Sequence, residues 1–238
     1  MKASVFMTIY NKNDCLPNTL YSISKQEVSF PLEVCIVDDG SDVDPEPIIR
    51  KFLPEAKYKR LGRVPFVYTL GKCLGMMDSD SDIIIVQGAD VMCLQKDVYE
   101  RLCLSVQPQR PVFAEVRNVS VGSEVYKDFE RNALCLPYLM EQYNQVPRED
   151  IYSGSGRPGG DWLFFLGAMK KEDWISVGLE TRCCDVVTLH RMRESGFEAI
   201  FLDHLKAVHQ KHPPAHGWPC PLVDTCEYWC MRKLEGLK

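Results

Sequence analysis

Two short acidic stretches stand where chemistry could be done. In the first, the apolar run Leu32–Val37 stops abruptly at Asp38-Asp39-Gly40-Ser41. A short continuous apolar run that ends in a turn reads as a buried parallel-type strand, and Asp-Gly marks the turn. The carboxylates therefore stand just past the carboxyl end of a strand, the edge where open α/β sheets bind ligands. Carboxylates only accept hydrogen bonds, so they suit donors such as a base N–H, ribose hydroxyls or a metal. The second stretch is Gln87-Gly88-Ala89-Asp90, which closes the strongest strand pattern in the chain, Asp82–Val86. Each stretch has a plain structural reading as well: a solvated turn for the first, a loop carboxylate for the second.

The elements around them alternate. Ser4–Ile9 reads as a strand ended by Tyr10-Asn11. A helix to Gln26 follows, with Asn13 or Asp14 as its cap and Pro17 in its first turn. Leu32–Val37 is the second strand, so the pair is parallel with a right-handed crossover. Pro45 and Pro47 open a short helix towards Phe52, and Lys57–Leu61 is a third strand. Phe66, Leu70, Leu74 and Met77 lie on one helical face. Lys96–Val106 and Ala133–Tyr143 read as helices and Val112–Val116 as a strand. Ser153–Gly160 is a loop rich in Gly, Ser and Pro that reads as mobile or acceptor-facing. Asp161–Leu166 begins a strand, Glu172-Asp173-Trp174 a helix, and Asp185 a helix to Glu194. Phe197–Leu202 is a strand, and His204, His209, His212 and His216 with Cys220, Cys226 and Cys230 form a tail.

The chain has 238 residues, enough for one large core. A net charge of -5 argues against general nucleic-acid binding. No apolar run approaches the roughly 18 residues of a membrane span, and Met1–Tyr10 turns polar too soon for a signal peptide. The 11 cysteines are odd in number and scattered, and Cys35, Cys73 and Cys93 fall on apolar faces. They read as reduced, buried thiols in a cytoplasmic protein.

Taken together, four stretches make the chain resemble the family-two glycosyltransferases. They are Ser4–Asn11 with its helix through Ser22 and Gln26; Val37–Ser41; Ile83–Val91; and Gly178-Leu179-Glu180, Asp185, Arg191 and Gly196-Phe197, continuing to Val208–Pro213. The resemblance implies an α/β fold of GT-A type, a Rossmann-like, mostly parallel central sheet flanked by helices. It implies one domain over 1–238, with a nucleotide-sugar half to about 116 and an acceptor half beyond. It implies inverting transfer of a hexose-type sugar from a nucleotide diphosphate sugar, by default a UDP-sugar, to a carbohydrate or glycoconjugate hydroxyl.

The resemblance also assigns roles. Tyr10, Asp38, Asp39, Arg63 and Gly88 fall at donor-binding positions. Asp90 matches the last carboxylate of the Asp-x-Asp metal motif, for manganese or magnesium, with His209 as a late ligand and His212 beside it. Asp185 falls on the general-base position. Trp162, Glu180 and Arg191 fall on the acceptor side. Gly88 departs from the motif's first aspartate and Cys184 from the glutamate before the base. Each assignment has a bland counterpart: an N-cap for Asp185, a packed imidazole for each histidine, a core position for Trp174 or Trp218.

Three other readings fit some of the same residues. Transfer onto a hydroxylated nucleobase in modified DNA is one, with the acidic charge against it. A non-catalytic sugar-nucleotide or glycan-binding protein is another, motivated by Gly88 and Cys184. Structural zinc in the His/Cys-rich tail is the third, though no Cys-x-x-Cys spacing supports it.

Overall fold

The computed structural model describes residues 1–62, 73–122, 125–128, 137–147, 151–153, 165–177 and 191–211. Strand β1 (Ala3–Ile9) leads through helix α1 (Leu16–Ser24) to β2 (Leu32–Asp38). Helix α2 (Glu46–Phe52) and β3 (Lys57–Arg60) follow, then β4 (Ile83–Gln87), β5 (Val91–Cys93) and α3 (Val98–Ser105). The later elements are β6 (Val112–Val119), α4 (Pro137–Gln145), β7 (Ile151–Ser153), β8 (Leu166–Lys170), α5 (Lys171–Ser176) and β9 (Ile200–Gln210).

These strands form one sheet, ordered β3-β2-β1-β4-β8-β6-β9-β5, with β7 added beside β6. The β3-β2-β1-β4 half is parallel throughout. Antiparallel β8 joins it to the second half, where β6 and β9 run parallel. This is the α/β class, with its mostly parallel central sheet, that the alternation implied.

The parallel half explains its own sequence. Alternate residues of β1 serve opposite faces. Ala3, Val5, Met7 and Ile9 pack with Leu16, Leu20 and Ile23 of α1. Phe6 packs on the other face with Ile84, Val86 and Trp174. Because both faces are covered, the strand reads as an unbroken apolar run. Trp174 is fully buried, edge-on to Phe6 at 6.0 Å, which is the core reading. Cys15, Cys35, Cys73, Cys93 and Cys103 are buried free thiols. Burial pushes Cys15, Cys35 and Cys103 up to about 12, and Cys73 and Cys93 up as well. They stay protonated and pack as small hydrophobes.

Several expectations are corrected. Neither Asn13 nor Asp14 caps α1; the N-cap is Cys15, with no side-chain capping bond. The Lys12 carbonyl takes the N–H groups of Cys15 and Leu16 instead, at 3.0 and 2.8 Å. Of the strand expected from Asp161, residues 161–164 lie outside the described residues, and β8 is described from Leu166. β5 and β7 were not anticipated, each being only three residues long. The strand placed at Phe197–Leu202 is β9, so His204 and His209 belong to the sheet and not to a tail. Polar residues at 203, 204 and 206 hide it. The register steps from Ala114↔Leu202 to Glu115↔Lys206, so β9 bulges at 203–205. Gln95 pins the bulge, accepting from Lys206 N–H at 2.7 Å and donating to the His204 carbonyl at 3.0 Å.

At the amino ends of the parallel strands a charged cluster closes the sheet. Lys57 Nζ bonds Glu33 at 2.6 Å and Asp78 at 2.5 Å, and Lys2 bonds Asp78 at 2.7 Å. Burial pushes Glu33 up, but donors from Lys57, Ser4, the Asp78 N–H and Ser81 outweigh it, so its pKa lies below the ordinary 4.5. The lysine bonds hold Asp78 at about 2, against an ordinary 3.8. Groups with depressed pKa stabilise fully above their unfolded values and lose that stabilisation as pH falls through their folded values. The protein should therefore lose stability between about pH 4.5 and 2. Chemical denaturation across that range should show a shallower loss for Glu33→Gln, which removes one of the titrating carboxylates.

Candidate active site

The parallel register brings the carboxyl ends of β2, β1 and β4 out side by side on one rim. The turn after β1 lies between the two acidic loops and touches both.

On one side is the loop after β2. Asp38 is fully buried, and its Oδ1 accepts from Ser41 N–H at 3.1 Å and Ser41 Oγ–H at 2.5 Å. Arg60 Nε stands 3.3 Å from Asp38 Oδ2, and Arg60 Nη2 donates to the Ser41 carbonyl at 2.5 Å. Gly40 has φ +78°, a conformation glycine adopts without a Cβ penalty. Asp38 thus braces a tight turn that presents Asp39, whose N–H donates to the Ile9 carbonyl at 2.8 Å. Asn11 locks this turn to β1. Its N–H donates to Ser41 Oγ at 2.9 Å, its Nδ2 to Asp42 at 2.9 Å, and its Oδ1 accepts from Asp42 N–H at 2.8 Å. Asn11 holds φ +49°, and asparagine is among the few residues that tolerate it.

On the other side is the loop after β4. Asp90 is buried, with Oδ2 at 2.7 Å from Lys12 Nζ and 3.6 Å from His209 Nε2. The β5–β9 pairing sets His209 opposite Val91, and Asn118 Oδ1 lies 3.1 Å from His209 Nδ1. Phe165 stands edge-on to the imidazole at 5.4 Å. Gln210 N–H donates to the Asp90 carbonyl at 2.9 Å. Asp90 and His209, far apart in sequence, are therefore neighbours. Gly88 has a local reason to be glycine: a Cβ there would stand 2.9 Å from Asp90 Oδ1 and 3.0 Å from Val91 Cγ2.

Tyr10, Asp38, Asp39, Gly88, Asp90 and His209 all lie along this rim. Arg191 lies in the helical stretch 191–194 and is half-buried. Arg63, Trp162, Glu180, Asp185, His212 and Trp218 lie outside the described residues, as do Cys184, the segment 154–160 of the glycine-rich loop and residues 66–72 of the expected Phe66–Met77 helix. Lys12, Asn11 and Arg60 were not anticipated. Their partners are distant in the chain, and the only local sign was their place at strand ends.

The same fold occurs in solved GT-A glycosyltransferases. GalNAc-T7, solved with UDP, GalNAc and Mn2+, superposes with a TM-score of 0.61 at 14% identity, over 94% of this chain and 46% of that one. TarS from S. aureus gives 0.58 at 14%, over 90% and 38%. The mannosyltransferase PcManGT from Pyrobaculum calidifontis, solved with GDP-Man and Mn2+, gives 0.57 at 19%, over 90% and 58%. The chain thus spans less than two thirds of each, and the likeness is one of fold. No curated protein gives a sequence match. The sequence model described as Glycosyl transferase family 2 matches residues 4–167, and the chain belongs to that family. Among its described residues no helix is long and apolar enough to cross a membrane.

Two outcomes follow from the loops. Asn11→Ala should cost about 1–3 kcal/mol, from left-handed strain and lost hydrogen bonds. Asn11→Gly should recover the strain part, so urea denaturation of the pair separates the two contributions. Gly88→Ala should push the Asp90 carboxylate aside and cost about 1–3 kcal/mol of stability. A crystal structure with Asp90 still on Lys12 and His209 would refute that account of Gly88.

Proposed function

We propose that this glycosyltransferase moves a hexose-type sugar from a nucleotide diphosphate sugar to a hydroxyl of a carbohydrate or glycoconjugate, with inversion. The observation that carries the reading is that the Asp90–His209 pair after β4 and Asp39 after β2 stand on the same rim, on either side of the β1 turn. Amino-terminal elements to about residue 116 form the donor half and later elements the acceptor half, except that β9 returns His209 to the donor side.

In this reading Asp39 and Tyr10 take the base and ribose, with Arg63 near the nucleotide and Gly88 lining the diphosphate. Asp38 acts through the turn that it braces. Asp90 Oδ2 and His209 Nε2, 3.6 Å apart, are close enough to ligate one divalent ion; the carboxylate suits manganese or magnesium, and the imidazole nitrogen favours manganese of the two. Among the described residues no group of three or more such ligands is present, so diphosphate oxygens and water would complete the set. An ion bound there would supply Lewis-acid stabilisation of the leaving diphosphate. Asp185, on the family's base position, takes the proton from the acceptor hydroxyl as its oxygen bonds the anomeric carbon. The bond from that carbon to the diphosphate breaks on the opposite face. Trp162, Glu180 and Arg191 hold the acceptor. The solved neighbours carry UDP, UDP-GlcNAc and GDP-Man, so uridine is the default base and guanosine the comparison.

Nucleotide diphosphate release, measured with UDP-GlcNAc, other UDP-hexoses and GDP-Man plus Mn2+, tests this reading. Wild type should turn over one donor, and Asp185→Asn should lower kcat by about a hundredfold or more while donor binding persists. No donor bound or turned over by wild type would end it.

A further inference from the structure

One oxygen, Asp90 Oδ2, has both Lys12 Nζ at 2.7 Å and His209 Nε2 at 3.6 Å. The Lys12 and Asp90 side chains are 16% and 12% exposed, so water screens the pair poorly. The approach of Lys12 is set by the backbone, because its carbonyl receives the first N–H groups of α1. An ammonium has three donors and no lone pair, so it cannot ligate a metal. A divalent ion on Asp90 and His209 would have to share Oδ2 with Lys12, and the two positive charges repel.

A nucleotide diphosphate sugar reverses this balance. Each of its phosphates carries one negative charge. Together with the Asp90 carboxylate, that equals the positive charge of a divalent ion plus Lys12. Ammonium is also a natural partner for phosphate oxygens. We propose that Lys12 is a diphosphate-binding cation parked on Asp90, and that it makes metal binding depend on the nucleotide. This rests on the donor reading above and names the regulation of that site. Without nucleotide, Lys12 holds the carboxylate and weakens Mn2+ binding. With nucleotide, the diphosphate takes up both cations, and Lys12 contributes affinity that needs no metal. Lys12 is thus a binding residue with two effects of opposite sign, which a merely structural ion pair would not have.

The test measures free Mn2+ by electron paramagnetic resonance, with and without UDP or GDP, and nucleotide binding by calorimetry in EDTA. In wild type, UDP should tighten Mn2+ binding. Lys12→Met should bind Mn2+ alone roughly tenfold tighter and UDP in EDTA roughly tenfold weaker, the scale of one nearby unit charge. Lys12→Arg should keep wild-type nucleotide affinity, and Lys12→Gln serves as a second neutral variant if Lys12→Met does not fold. Wild-type nucleotide binding with neutral variants unchanged in both assays would overturn the role of Lys12 alone. Wild type that binds neither UDP nor GDP with Mn2+ would overturn the donor reading and this inference with it.

Discussion

The turn after β1 is the constraint on which the site depends. Asn11 and Lys12 are adjacent, yet they face different loops. Asn11 fastens the Ser41–Asp42 turn, and Lys12 reaches Asp90 beyond β4. β1 is the middle strand of that trio, so its turn can hold both acidic loops at once. The left-handed backbone at Asn11 allows it, because it redirects the chain sharply before α1 begins. Strain there is offset by three hydrogen bonds that a straighter exit would not make.

Legibility in the sequence followed burial. β1, β2 and β4 are covered on both faces, so they appear as apolar runs with abrupt polar ends, and the ends point to the rim. Asp38, Asp39 and Asp90 were legible for that reason. β9 was legible only at its start, because the rest carries Asp203, His204, Lys206 and His209 and the strand bulges in its middle. A bulge breaks the period-two pattern that a strand search relies on. Lys12 was invisible for a different cause. A lysine beside a strand end is ordinary, and only the tertiary pairing with Asp90 gives it meaning. The helix caps failed because α1 satisfies its first N–H groups with a backbone carbonyl, which leaves no mark in side-chain chemistry.

Gly88 shows how a departure from a family pattern can be read physically. An aspartate at that position would bring a Cβ into Asp90 Oδ1 and Val91. A side chain at position 88 would therefore have to displace the Asp90 carboxylate from its present place. The second contact to Asp90 comes instead from β9, through His209, and the Gln210 N–H on the Asp90 carbonyl fixes the loop to that strand. The carboxylate that this loop lacks is matched in position by an imidazole from a strand late in the chain.

That strand is itself anchored to the helix after β1. Gln210 Nε2 donates to the Cys15 carbonyl at 3.1 Å and to Thr19 Oγ1 at 3.0 Å, while Asn18 Nδ2 donates to Gln210 Oε1 at 2.7 Å. Asn18 and Gln210 are buried, so breaking one of these bonds strands a polar group away from water. The Lys12 turn, α1, β9 and the Asp90 loop are therefore tied into one unit. A site with its groups on rigid elements keeps its geometry better than one carried on loops alone. The polar pair Asn18–Gln210 touches neither loop carboxylate with its side chains, yet it sets the distance between Lys12, which precedes α1, and His209, which precedes Gln210. Charge placement at Asp90 is in this way a property of the packed interior and not of the loop sequence.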